Sequence, residues 1–101
     1  MEIYRDERLL VDLGRHLVVL DNRRLSLTPK EYCLLALLVQ HAGEIVPRKI
    51  LMQLLGYAPE SRTRTVDTHI QRLRKKLGRD IGRRIETILG SGIRYRPLPG
   101  P

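Results

Sequence analysis

The side chains best suited to specific chemistry lie in one run, RTVDTHIQRLRKKL, at positions 64–77. An arginine fork can donate two hydrogen bonds to adjacent acceptors such as those on a guanine edge, and a threonine methyl can pack on a thymine methyl. Thr65, Thr68 and Arg72 are the candidates for that work. Arg64, Arg74, Lys75 and Lys76 suit phosphate oxygens, which position a partner without reading its sequence. Arg74 also has Asp67 and Glu86 as possible ion-pair partners. Arg94, close to the turn formed by Gly90, Ser91 and Gly92, can enter a minor groove or meet a phosphate. Catalytic chemistry has no such support. His69 has no Ser, Cys or carboxylate constellation around it apart from Asp67, and a phosphate donor or a packed helix histidine is the better reading. One cysteine and three scattered histidines make no metal-ligand cluster. No paired carboxylates and no phosphate-binding glycine loop are evident. The expectation is therefore no enzyme, no metal and no cofactor.

Those side chains need elements to hold them. At 100° per residue, Val66, Ile70, Leu73 and Leu77 fall within about 60° of arc, which predicts a helix over 64–77 with one narrow core stripe. Thr68, Arg72 and Lys75 lie almost opposite, flanked by Thr65 and Gln71, and Gly78 supplies the stop. Thr28, Pro29, Lys30 and Glu31 fit a capping box, so a first helix runs from there to about His41, ended by Gly43. Pro47 starts a second helix through Leu55, with Ile50, Leu51, Leu54 and Leu55 as its buried stripe and Gly56 as its end. Residues 1–27 read as a small antiparallel sheet, with strands at 9–11 and 17–20, Leu25 and Leu27 alternating with polar residues, and residues 1–8 frayed. Residues 84–89 and 93–96 read as a hairpin about the Gly-Ser-Gly turn, with Arg94 and Arg96 on one face and Ile93 and Tyr95 on the other. Residues 97–101 read as a loose tail. Three helices and a hairpin make an α+β helix-turn-helix with a wing, in a single domain over 1–101: sheet 1–27, helical core 28–78, wing 83–96, tail 97–101.

Charge follows the same division. The formal net charge is +8. Residues 1–61 hold eight Lys/Arg against eight Asp/Glu, while residues 62–101 hold eleven against three. A neutral scaffold joined to a basic half points to a polyanion surface. With four Tyr and no Phe or Trp, the core must be mainly aliphatic. Cys33, in a leucine-rich run, reads as a small buried hydrophobe. The N-terminal stretch is charged and no apolar run is long enough to span a membrane, so a cytoplasmic, soluble protein without membrane contact is expected.

The runs Leu27-Thr28-Pro29-Lys30-Glu31-Tyr32, then 64–70 with 72–77, then Ile85-Glu86-Thr87-Ile88 with Gly90-Ser91-Gly92 resemble the OmpR/PhoB-type effector domains of bacterial two-component response regulators. The resemblance covers roughly residues 8–96. It implies a winged helix with an N-terminal antiparallel sheet, three helices and a C-terminal hairpin, acting as a sequence-specific, double-stranded DNA-binding transcription regulator and the output part of a response regulator. It implies direct-repeat half-sites bound by a head-to-tail dimer. It also implies that the loop of Tyr57, Ala58, Pro59, Glu60, Ser61 and Arg62 can touch RNA polymerase. The family's base-reading positions fall on Thr65, Thr68 and Arg72, and its phosphate positions on Arg64, His69, Arg74 and Thr87. Gln71, Leu89, Ile93 and Pro47 depart from the family's habits. The competing reading is a winged helix used for protein or RNA interaction.

Overall fold

The computed structural model describes residues 2–58, 60 and 64–99. The chain begins with an antiparallel meander of β1 (Ile3–Arg5), β2 (Leu9–Asp12), β3 (Leu17–Leu20) and β4 (Arg23–Arg24), paired in chain order. Tyr4 lies opposite Val11 and Val11 opposite Val18; strand alternation turns all three inward. Asp21 and Asn22 take left-handed backbone angles to turn β3 into β4. Residues 3–5, expected to be frayed, form a strand because its inward Tyr4 is held at both ends, by packing on the sheet and by Asp6. The alternation at Leu25 and Leu27 does not form a strand. Both sit half-buried on the core after β4, with the Leu25 amide alone continuing the ladder to Val18 O at 2.9 Å.

α1 (Pro29–Gln40) starts at the expected capping box. The Glu31 amide donates to Thr28 Oγ1 at 3.2 Å and the Thr28 amide donates to Glu31 Oε1 at 2.9 Å. Its Leu34, Leu35, Leu38 and Val39 are fully buried. α2 (Arg48–Leu54) begins after Pro47, which offers no side-chain cap. Its buried side differs from the expected stripe. Leu51, Met52 and Leu55 face the core, whereas Ile50 and Leu54 are 44% and 42% exposed. In a helix of seven residues the pairs 50/54 and 51/55 share apolar character, and packing against α1 and α3 selects one of them.

α3 (Arg64–Gly82) buries Val66, Ile70, Leu73 and Leu77, as its periodicity predicts. Gly78 breaks the helix at φ 85° and ψ 173°, but a further helical turn over 79–82 follows and buries Ile81. Gly82 permits this turn: a Cβ there would stand 2.5 Å from Arg74 O. The hairpin of β5 (Ile85–Ile88) and β6 (Gly92–Tyr95) pairs Ile85 with Tyr95 and Ile88 with Gly92. Val46 joins its inner edge through both amides of a Val46–Ile93 bridge, at 2.7 and 3.0 Å. The tail is partly tied: Leu98 packs on the core, and Arg84 Nη1 donates to the carbonyls of Arg96 and Pro97 at 3.0 and 3.2 Å. Cys33 is half-buried rather than enclosed.

One buried carboxylate ties the first sheet to the hairpin. Asp6 Oδ2 accepts from the hydroxyls of Tyr4 at 2.6 Å and Tyr95 at 2.7 Å, and Asp6 Oδ1 from the amides of Arg8 at 3.0 Å and Leu9 at 2.9 Å. The two rings meet edge to face, their centroids 5.9 Å apart. Burial pushes the Asp6 carboxyl up, but its four donors outweigh burial and hold it below the ordinary aspartate value. Burial and that carboxylate push both tyrosines well above theirs.

Candidate nucleic-acid interface

Three sides of α3 are fastened and the fourth is open. Its apolar stripe is the inner side. On one flank Asp67 Oδ1 takes Arg48 Nε at 3.2 Å, while Arg74 reaches the hairpin, donating from Nε to Ile85 O at 2.9 Å and from Nη2 to Thr87 Oγ1 at 3.0 Å. On the other flank Lys76 Nζ donates to Glu31 Oε1 at 2.6 Å. Next to it, the Tyr57 hydroxyl accepts from Lys30 Nζ and meets His69 Nε2, both at 3.0 Å. The open side carries Arg64, Thr68, Gln71, Arg72 and Lys75, all exposed. Arg64, Thr65, Thr68, His69 and Arg72 line one shallow, open depression.

The bonding of these groups decides what each can offer. Thr68 donates its hydroxyl proton back to Arg64 O at 3.3 Å, so its lone pairs and methyl are what it presents outward. Arg72 makes no hydrogen bond or ion pair among the described residues, and its five N–H donors are available. Burial, Lys30 and Arg72 together push His69 below the usual histidine value, so the ring is neutral at pH 7. Lys30 donates to the Tyr57 oxygen, and the same hydroxyl meets His69 Nε2, with the donor in that second bond set by the ring tautomer. His69 thus offers a neutral ring rather than a charge. Burial lowers the Arg74 guanidinium somewhat, yet it remains cationic, and its hydrogen bonds leave Nη1 unused.

Residues 22–95 match the family model described as "Transcriptional regulatory protein, C terminal". The chain belongs to this family. The transcriptional regulatory protein QseB of Escherichia coli O157:H7 is 36% identical over 89 residues, which cover 87% of this chain and 39% of QseB. The chain thus spans about two fifths of the length of the curated relatives it matches. Among solved structures, the Klebsiella pneumoniae RstA DNA-binding domain in complex with the RstA box superposes with a TM-score of 0.85 at 30% identity, covering 96% of this chain and 99% of that one. The response regulator DrrB of Thermotoga maritima, an OmpR/PhoB homologue, superposes at 0.83 with 33% identity over 94% of this chain and 44% of its own. The fold is the OmpR/PhoB-type winged helix.

In this OmpR/PhoB-type domain the expected residues separate into groups. Thr65, Thr68 and Arg72 come together with Arg64 and His69 around the one depression. Arg74 and Thr87, far apart in sequence, meet as a hydrogen-bonded unit; neither Asp67 nor Glu86 takes the arginine. Lys75 stands outward, but Lys76 is turned sideways onto a buried glutamate. Burial raises Glu31, and Lys76 with the Thr28 amide and hydroxyl brings it below the ordinary glutamate value. Arg94 is not free at the wing: its Nε donates to Glu86 Oε1 at 2.8 Å, and Arg96 shares the same carboxylate at 3.1 Å. The wing tip is Leu89, 96% exposed. Of the loop residues, Tyr57 is half-buried against His69, Ala58 and Glu60 are exposed, and Pro59, Ser61 and Arg62 lie outside the described residues. Sequence reasoning missed Lys30, Arg48 and Glu31 as supports of α3. Only Glu31 carried a signal, and it pointed to the capping box.

Lys76→Met is expected to destabilise the domain by about 1–2 kcal/mol, because it leaves the Glu31 carboxylate with only the cap as partner. The ammonium is partly open to water, which keeps the effect below that of a sealed pair. The slope of DNA affinity against salt should not change. A denaturant melt and a salt titration measure the two effects separately.

Proposed function

We propose that this chain is a sequence-specific, double-stranded DNA-binding unit that regulates transcription, with α3 over 64–77 in the major groove. The observation that carries this reading is the open side of α3, where Arg72 makes no hydrogen bond or ion pair among the described residues and Thr68 is bonded only within its own helix, which is secured on its other three sides. A major groove about 12 Å wide admits one such helix. Membership of a transcriptional-regulator family and likeness to an RstA domain bound to its box support the reading. Thr65, Thr68 and Arg72 read bases. Arg64 and Lys75 meet phosphates by charge, the Arg74–Thr87 unit through Nη1 and the threonine hydroxyl, and His69 through its neutral ring. Arg94 supports the wing through Glu86. The domain serves as the output part of a two-component response regulator in the cytoplasm and binds direct repeats as a head-to-tail dimer. The loop from Tyr57 to Arg62 contacts RNA polymerase.

A gel shift at moderate salt tests the reading: a duplex carrying the preferred site should bind well ahead of single-stranded RNA of the same length. Equal affinity would instead favour an RNA-binding or protein-binding winged helix. Arg74→Ala is expected to weaken specific and random duplexes alike and to flatten the salt slope by about one unit. A titration with an unchanged slope would remove Arg74 from the phosphate contacts.

A further inference from the structure

Where α3 breaks at Gly78, a second open depression is lined by Arg74, Lys75, Arg79 and Arg83 together with Gly78 and Gly82. Lys75, Arg79 and Arg83 are exposed and make no hydrogen bond or ion pair among the described residues. Arg74 is held beside them by its two bonds to the hairpin, so one guanidinium is oriented in advance. Asp80, the nearest acid in sequence, pairs instead with Arg8 at 3.4 Å. Cations near a helix C-terminus complement its dipole, but that dipole amounts to about half a negative charge and leaves four cations largely unneutralised. Lys75 belongs both to this depression and to the open side of α3, so the two surfaces are continuous.

We infer that this depression seats a backbone phosphate of the duplex, extending the footprint past the base-reading contacts of Thr65, Thr68 and Arg72. The inference rests on the duplex-DNA reading above. Arginine and lysine in an open, shallow setting fit a phosphodiester, which needs charge and hydrogen bonds but no enclosure. Such a contact adds affinity and salt dependence without adding sequence preference.

The test is equilibrium binding of the chain and of an Arg79→Ala, Arg83→Ala double variant to a site-bearing duplex and a random duplex, across a salt series. The double variant is expected to bind both duplexes about three- to tenfold more weakly at moderate salt, with a slope flatter by about one unit and unchanged base preference. An unaltered slope and affinity would overturn the inference, as would a loss confined to the site-bearing duplex. If the alanine pair melts early, Arg79→Gln with Arg83→Gln keeps the aliphatic stems and carries the same measurement. Should the unaltered chain show no preference for the site-bearing duplex over the random one, the functional reading itself fails. A site preference combined with an unchanged slope in the variant defeats this inference alone.

Discussion

Asp6→Ala is expected to lower the unfolding free energy by about 3–5 kcal/mol, a large part of the stability of a domain this size. The substitution takes the acceptor from two buried hydroxyls, Tyr4 and Tyr95, and from the amides of Arg8 and Leu9. Hydrogen bonds to a charged group contribute about 1.5–3 kcal/mol each, and donors left unmade in the interior add their own desolvation cost. The sheet and the hairpin would lose their only shared polar anchor among the described residues. A melt should show the midpoint fall by roughly 15 °C. A fall of a degree or two would mean that water replaces the carboxylate at little cost. The pH dependence has a fixed sign. The folded carboxyl lies below its unfolded value, so its stabilisation is fully present above the unfolded value near 4. It is lost as pH falls through the lower folded value. Asp6→Asn should therefore lose less than Asp6→Ala near neutrality, and its stability should be flatter below about pH 4.

Arg72→Ala is expected to weaken specific duplex binding by about 1–3 kcal/mol, or roughly five- to 150-fold, and to relax base preference at one position. The reason lies in what Arg72 lacks. Arg74, Arg48, Arg84, Arg94 and Arg96 all spend donors inside the fold, whereas Arg72 spends none among the described residues. Its removal should leave the melt unchanged. Competition between a selected site and random duplex measures the effect. Equal weakening of both would move Arg72 from base reading to phosphate contact.

Local features were legible in the sequence. The capping box needs only Thr28 and Glu31, three positions apart, and both arms form as expected. The α3 stripe is a matter of period, and it placed Thr68, Arg72 and Lys75 outward. The supports of the interface were not legible, because each joins distant segments. Tyr95 reaches Asp6 across 89 positions, Lys76 reaches Glu31 across 45, and Lys30 reaches Tyr57 across 27. Charge alone marks Lys76 and Arg94 as phosphate ligands; only the fold shows Glu31 and Glu86 beside them. Period also fails in the short α2, where Ile50 and Leu54 compete with Leu51 and Leu55 for one buried side. Gly78 is a true break, yet nothing before it in sequence signals that Ile81 will find a core site beyond.

The open side of α3 is expected to read duplex sequence. Selection from a pool of random duplexes, run in parallel with the unaltered chain and Arg72→Ala, tests it most directly. An enriched motif is expected, repeated at about ten or eleven base pairs if two copies bind in tandem, with preference at one position per repeat lost in the variant. Recovery of no motif, or of the same motif at full strength with Arg72→Ala, would contradict it.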